Sequence, residues 1–193
     1  MAEKLSDIYC ERFFRRRAGY RGAYHRFAKA IWEIWQPASI ADLGCGAGYL
    51  LEWFAERIPA VGVEGSEGAL QVQSELARRH TTLADLTGPP LEAMRWIEFV
   101  VSIEVAEHIE PEHEDAFLRW FTWADRVFFT AAPPGQRGLH HVNTKPKEHW
   151  IERFGRMGLQ YNEDETGKWV RRTRGTGCPW VRRNAMFFER VHR

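Results

Sequence analysis

The chain predicts an α/β fold of the doubly wound kind, a mostly parallel sheet with helices on both faces, an antiparallel strand near the C-terminus and a helical N-terminal extension. Three observations predict it. From residue 40 to about residue 157, short apolar runs alternate with segments of helical spacing. A glycine-rich turn follows the first of those runs. The alternation then gives way to strand-like segments with no helix between them.

Taken in order, Tyr9, Phe13, Tyr20, Tyr24, Phe27, Ile31 and Ile34 recur at helical intervals between Leu5 and Trp35, interrupted at Gly19 and Gly22. One broken helix or two short ones are expected. Pro37 stops the segment, Ile40–Leu43 reads as a short buried strand, and Tyr49–Arg57 is the helix after the glycine turn. Val61–Glu64 is a second strand, Ala69–Arg79 a helix, Thr82–Ala84 a third strand and Trp96–Ile103 a fourth. A helix at Glu112–Phe121, a strand at Arg126–Thr130 and a helix at Pro146–Met157 continue the pattern. Leu159–Tyr161, Trp169–Arg172 and Asn184–Val191 look like strands, which predicts an antiparallel edge. Pro133–Gly138 is a loop of functional character.

With 193 residues, 44% of them hydrophobic, the chain has the length of one domain with a sizeable core. A single domain over residues 1–193 is expected, with 1–36 as the helical extension and 37–193 as the α/β core. Lys and Arg number 27 against 26 Asp and Glu, a net charge of +1, so no overall field draws the molecule to nucleic acid or to an anionic membrane. The N-terminus runs from Met-Ala-Glu-Lys into charged residues without a signal peptide's apolar core, and no window reaches membrane-spanning length. A cytoplasmic protein without a membrane partner is expected. Cys10, Cys45 and Cys178 are odd in number and widely spaced, which argues against a disulfide framework or a cysteine-rich zinc site.

Gly44, Gly46 and Gly48 follow the first strand and open a helix, where missing β-carbons let the backbone turn sharply and approach a ligand. Such a turn alone specifies only a nucleotide-type site. Asp42 before the glycines, and Glu64 ending the next strand at the distance expected for a carboxylate gripping ribose hydroxyls, make it more specific. The spacing departs from the phosphate-binding Gly-x-Gly-x-x-Gly. A nicotinamide enzyme needs a similar turn and ribose acid, but the position of Asp42 and the strand-rich C-terminus disfavour it.

The run Asp42-x-Gly44-x-Gly46-x-Gly48 resembles the first motif of the class I S-adenosylmethionine-dependent methyltransferases. The resemblance implies a Rossmann-like, seven-stranded sheet closing in a reversed hairpin, with S-adenosyl-L-methionine as cofactor. It sets Asp42, Gly44 and Gly46 against the methionyl part, Glu64 at the ribose and Asp85 at the adenine, with Cys45, Gly65, Leu86 and Ile103 also lining the cofactor.

Ligands of open α/β sheets bind beyond the carboxyl ends of the strands, so the segments after the fourth and fifth strands border the acceptor. There stand Glu104, Glu107 and His108, and then His140 and His141. The Glu-Val-x-Glu-His run and the later His-His-Val-Asn resemble small class I enzymes that include quinone-precursor O-methyltransferases. Related runs occur in metal-dependent small-RNA ribose methyltransferases, where two Glu and two His hold a divalent cation. By type, Glu104, Glu107, His108 and one of His140 or His141 match that set, with His140 taken as the fourth ligand; the wider RNA-enzyme context is not matched. Magnesium, manganese or zinc bound there would polarise an acceptor hydroxyl. Without metal, His108 or His140 could act as general base; Glu104 and His141 complete the catalytic candidates. The plainer alternative is that the glutamates solvate a helix start and the histidines lie on the surface.

Arg12, Arg15, Arg16, Arg17, Arg21 and Arg26 share the N-terminal segment with Tyr9, Tyr20 and Tyr24, a mixture able to cover a cofactor or grip an acidic acceptor; an amphipathic lid accounts for it equally. Arg171, Arg172, Arg174, Arg182 and Arg183, with Trp169 and Trp180, form a second basic cluster, expected as a solvated strand face rather than a phosphate contact. His113 and His149 are expected to face solvent. Methyl transfer to oxygen, less readily nitrogen, of a small or glycan-like acceptor is the leading expectation. The alternatives are a metal-dependent RNA ribose methyltransferase and a non-catalytic cofactor-binding module that serves a partner. The acceptor and the oligomeric state are not encoded in any motif.

Overall fold

The computed structural model describes residues 8–191. Seven strands form one sheet: β1 Ile40–Leu43, β2 Ala60–Glu64, β3 Thr81–Leu83, β4 Phe99–Ile103, β5 Arg126–Thr130, β6 Leu159–Tyr161 and β7 Met186–Arg190, ordered β3-β2-β1-β4-β5-β7-β6. The pairs β1–β2, β1–β4, β2–β3 and β4–β5 are parallel, while β7 runs antiparallel to both β5 and β6. The expected antiparallel edge is thus present, with the reversed strand β7 inserted between β5 and β6. This is the Rossmann-like, doubly wound sheet expected from the alternation.

The helices are α1 Glu11–Arg15, α2 Arg21–Trp35, α3 Tyr49–Ala55, α4 Glu67–Leu70, α5 Glu75–Arg79, α6 Glu114–Leu118, α7 Lys147–Arg156, α8 Glu163–Arg172 and α9 Pro179–Asn184. Successive strand residues alternate between two cores, as a sheet covered on both faces requires. Ile40, Phe99, Val101, Phe128 and Phe187 face α2, α3 and Trp169. Ala41, Val100, Val127, Phe129 and Phe188 face Phe117, Trp120, Phe121, Trp150 and Phe154. Trp35 stacks on Phe187 with centroids 4.3 Å apart, and its indole N–H donates to Glu165 Oε2 at 2.8 Å, so the end of α2 is locked to the sheet and to α8.

Several expected boundaries are corrected. Trp169–Arg172 is helical: Asn162 accepts from the Glu165 N–H, Glu163, Asp164 and Glu165 fill the first turn and Arg171 and Arg172 the last, all of which favour a helix. Thr166 and Trp169, buried three positions apart, show the helical period that a four-residue window misread as a strand. Asn184 ends α9, which Pro179 opens, so β7 starts later than expected. The segment 69–79 divides in two because the Ser74 side chain accepts from Ala77 N–H and starts a new helix. Trp96 lies in a 3₁₀ turn and β4 begins at Phe99. In the N-terminal extension, α1, a 3₁₀ turn at Ala18–Tyr20 and α2 follow one another, with Gly22 inside α2; Leu5 lies outside the described residues. Among the described residues no helix is long and apolar enough to cross a membrane.

The order of strands reverses between β1 and β4, and a crevice opens there beyond their carboxyl ends. That crevice positions everything below. Phe187→Ala is expected to destabilise the protein by about 3–5 kcal/mol through the cavity it leaves beside Trp35. Trp96→Ala, at an 83% exposed position, should stay within about 0.5 kcal/mol of the parent. Urea unfolding of both variants measures the contrast, and equal losses would contradict the described core.

Candidate active site

The turn after β1 is held by backbone bonds from Gly44 N–H and Cys45 N–H to the Val63 carbonyl, at 2.8 and 3.2 Å. Gly44 has φ 71°, and a Cβ there would stand 2.5 Å from Val105 Cγ2. Gly48 has φ 74°, with Ala77 Cβ 2.6 Å from where its own Cβ would sit. Both positions therefore need glycine for conformation and for space. Cys45 is buried, its Sγ near the Gln73 amide at 3.5 Å and Thr81 Oγ1 at 3.7 Å, which makes it part of the turn's packing.

Two carboxylates border the turn. Glu64 Oε2 accepts from the Gly46 N–H at 2.7 Å and Oε1 from the Ser66 N–H at 2.9 Å, which fixes the group while leaving lone pairs free for ligand hydroxyls. Burial raises the Glu64 pKa and these backbone donors pull it back down. Asp42 is buried as well, and burial followed by the charge of Glu64 pushes it up to about 7. Asp85 is exposed and accepts the Thr87 N–H at 2.8 Å, closing a turn at the end of β3, with Leu86 buried beneath it. Gly65 is exposed, and Ile103 is buried at the end of β4.

The N-terminal segment covers this turn. Ser66 Oγ donates to the Tyr9 carbonyl, and Phe14 Cε1 lies 3.4 Å from where a Gly46 Cβ would be. The Arg17 guanidinium sits 3.4 Å over the Phe13 ring, and burial lowers its pKa. Tyr24 has its pKa raised by burial and then by the charges of Glu104, Cys178 and Asp42, so its hydroxyl stays protonated. Of the other arginines, Arg12, Arg15 and Arg16 are exposed, Arg21 reaches Glu52 Oε1 at 2.7 Å and Arg26 donates to the Thr176 carbonyl at 3.2 Å.

Beyond β4 the chain turns through Glu104 in the left-handed region, φ 55°, with its N–H on the Thr130 carbonyl and hydroxyl, both at 3.0 Å. A non-glycine residue there is strained and must be held by its surroundings. Gln136 Nε2 donates to Glu104 Oε2 at 2.8 Å and Asn184 Nδ2 to Oε1 at 2.9 Å. The Pro133-Pro134-Gly135-Gln136 turn, with Gly135 at φ 86° and Gln136 N–H on the Pro133 carbonyl, aims Gln136. The turn signal was readable in the sequence; nothing there marked Asn184.

Glu107 is fully buried, and neither of its carboxylate oxygens has a hydrogen-bond partner. Burial and then Glu104 raise its pKa. One donor atom each from Glu107, His108 and His141 lies within 4.8 Å of the others. His141 Nδ1 donates to the Gln136 carbonyl at 2.9 Å and His108 Nδ1 to the His140 carbonyl at 3.0 Å, so each Nε2 keeps a free lone pair. His108 Nδ1 also meets Tyr9 Oη at 2.8 Å. Burial lowers the His108 pKa to about 4, leaving a neutral imidazole. The geometry thus gathers Glu107, His108 and His141, and leaves out Glu104, which the two amides occupy, and His140, whose Nε2 lies 3.9 Å from Glu110. One carboxylate and two imidazoles fit manganese or zinc better than magnesium. His149, expected in solvent, is half-buried and bonded to Glu114 Oε1 at 2.9 Å, whereas His113 is exposed. The second basic cluster lies on α8, the turn after it and α9 rather than on a strand, and Arg172 pairs with Glu33.

Residues 41–124 match the family model described as "Methyltransferase domain". The chain has the class I methyltransferase fold. A sugar N-methyltransferase from Streptoalloteichus is similar to it with a TM-score of 0.69 and 14% identity, over 100% of this chain and 96% of that one. The magnesium protoporphyrin IX methyltransferase from Synechocystis, with bound S-adenosylhomocysteine, is similar with a TM-score of 0.62 and 16% identity, over 82% of this chain and 89% of its own. A small RNA methyltransferase is similar with a TM-score of 0.59 and 15% identity, over 87% of this chain and 25% of its own. No curated relative matches by sequence.

The buried pair gives a pH signature. A carboxyl that titrates near 7 in the folded chain, against about 3.9 unfolded, holds its proton more tightly when folded. The stability this gives is complete below about pH 4 and is lost as pH rises through about 7. In the ligand-free protein, Asp42→Asn should therefore be more stable than the parent at about pH 8, by up to about 4 kcal/mol, with the difference narrowing towards about pH 5. Urea unfolding at both pH values checks this, and a pH-independent difference would show that Asp42 is ionised throughout.

Proposed function

We propose that the chain is an S-adenosyl-L-methionine-dependent methyltransferase acting in the cytoplasm on a small-molecule or glycan-like acceptor, at oxygen or, less readily, nitrogen. The observation that carries this reading is the Asp42 and Glu64 pair beside the glycine turn at the β1–β4 switch point. Two buried carboxylates suit a ligand that brings positive charge and hydroxyls together. Glu64 would take the ribose hydroxyls, Asp42 with Gly44 and Gly46 the methionyl part, and Asp85 and Leu86 the adenine side. When bound, the cofactor supplies a methyl group on a sulfonium sulfur. The acceptor then needs alignment and a place for its proton; the neutral His108 imidazole offers that place, while the Tyr24 hydroxyl feels the charges of Glu104 and Asp42. That sugar and porphyrin methyltransferases share the fold supports a small acceptor.

A second reading, a metal-dependent RNA ribose methyltransferase, is favoured by the unpartnered Glu107 carboxylate beside His108 and His141. A cation there would satisfy both oxygens and polarise an acceptor hydroxyl.

S-adenosylhomocysteine at about one hundred times its dissociation constant should stabilise the parent by ~2.7 kcal/mol. Glu64→Ala should remove most of that shift, and labelled cofactor with a metabolite extract should yield a methylated small product. A shift with NAD instead would overturn the cofactor assignment, and binding without any product would favour a non-catalytic module. For the second reading, calorimetry with manganese or zinc should show at least about tenfold weaker binding in His141→Ala. Equal metal binding, or methylation indifferent to a chelator, sinks it.

A further inference from the structure

An open cleft of about 560 Å³ lies behind the acceptor side, between the loop after β5, the start of α7 and the end of α9. Its wall holds four cations, Arg137, Lys145, Lys147 and Arg183, together with Gln136 and Asn184, and no acidic side chain. Resting on the methyltransferase reading above, we infer that this cleft binds the phosphate or diphosphate group of a small anionic acceptor and so decides the substrate class.

The charge arrangement supports the inference first. Half of the arginines on the helices pair with acids, as Arg15 does with Glu11, Arg79 with Glu75, Arg153 with Asp115 and Arg172 with Glu33, and the unpaired ones outside the cleft are spread over several helices. Among the described residues none of the four cleft cations has an acidic partner within ion-pair distance. Like charges gathered around one concavity repel one another, and an anion in their midst converts that repulsion into attraction. Lys147 is half-buried, its ammonium donating to the Ala185 carbonyl at 3.0 Å, and burial lowers its pKa while Glu148 and Glu163 raise it. Two arginines able to grip oxygens in pairs and two lysines acting as point charges form a set suited to phosphate.

Position supplies the second argument. Gln136 and Asn184 line the cleft and both donate to Glu104, and Asn184 Nδ2 also donates to Gln136 Oε1 at 3.0 Å. The Glu104 charge is thereby occupied by amides and screened from an anion in the cleft. The same two amides join the cleft to Glu104, the first residue after β4 at the switch point. An anionic group anchored among the cations leaves the rest of the acceptor to extend over Glu104 towards the glycine turn. The cleft has the size of a small-molecule pocket, and the molecule as a whole carries a net charge of only +1, so the basic character is confined to the site. A bounded cationic pocket favours a small phosphorylated acceptor over a polynucleotide, which needs a basic stripe along its backbone.

Calorimetry at low ionic strength with inorganic pyrophosphate tests the anion site, and a short oligouridylate is the competing arm. The parent should bind pyrophosphate, and the double variant Lys145→Glu with Arg183→Glu should bind it at least about tenfold more weakly. Arg78→Glu, on exposed α5, should bind as the parent does. Should the double variant fail to fold, Arg137→Ala on the exposed loop is read instead, with a loss in the same direction. No pyrophosphate binding by the parent, or equal weakening by Arg78→Glu, overturns the site. Tighter binding of the oligouridylate than of pyrophosphate overturns the small acceptor. The thermal shift with S-adenosylhomocysteine is measured on the same proteins and should be retained in all of them. Its absence in the parent overturns the methyltransferase reading, and the acceptor role with it, separately from the outcome for pyrophosphate.

Discussion

Asp42 and Glu64 end neighbouring parallel strands, and their carboxyl groups repel each other in a buried space where water cannot screen them. Glu64 is kept in place by the Gly46 and Ser66 N–H groups, while Asp42 responds by holding its proton up to about pH 7. That arrangement opposes stability and is tolerated because the sheet around it is buried on both faces. It also dictates the local sequence. Gly46 must present its N–H to Glu64, and the chain must turn within three residues of the strand. Gly44 and Gly48 must carry no side chain, because Val105 and Ala77 fill the space where one would be.

Val105 links this half of the site to the other. It presses on Gly44 from the loop after β4, whose first residue, Glu104, is held at positive φ by Thr130 on one side and by Gln136 and Asn184 on the other. Strain at such a residue is sustained only when several partners over-determine it. Here those partners come from β5, the loop after it and α9: Thr130 takes the backbone N–H, while Gln136 and Asn184 hold the carboxylate.

The fold was legible because its signals are local. Alternating apolar runs and the Asp42–Gly48 turn sufficed for the sheet, its parallel core and the crevice. What escaped was either marginal in length or dependent on tertiary contact. Trp169–Arg172 has strand-like composition, and only the Asn162 cap upstream and the burial of Thr166 reveal a helix. The set Glu107, His108 and His141 could not be separated from one with Glu104 and His140 by spacing alone. The choice is made by Gln136 and Asn184, which occupy Glu104, and by His140 standing at φ 52°, which turns adjacent histidines in different directions. The basic cleft was hidden for the same reason. Arg137, Lys145, Lys147 and Arg183 lie in three segments, and only Arg183 belongs to a cluster that the sequence marks, where it reads as part of a solvated face.

The N-terminal segment is bonded to both halves of the site at a single residue. The Tyr9 carbonyl takes the Ser66 hydroxyl beside Glu64, and the Tyr9 hydroxyl meets His108 beside Glu107. Phe14 covers Gly46 from the next turn of the same segment. Displacing residues 9–14 therefore uncovers the glycine turn and frees the His108 environment together, and restoring them dries both. Alignment, a proton acceptor and exclusion of water are what methyl transfer asks of a site, and a segment bonded to both halves bears on all three at once.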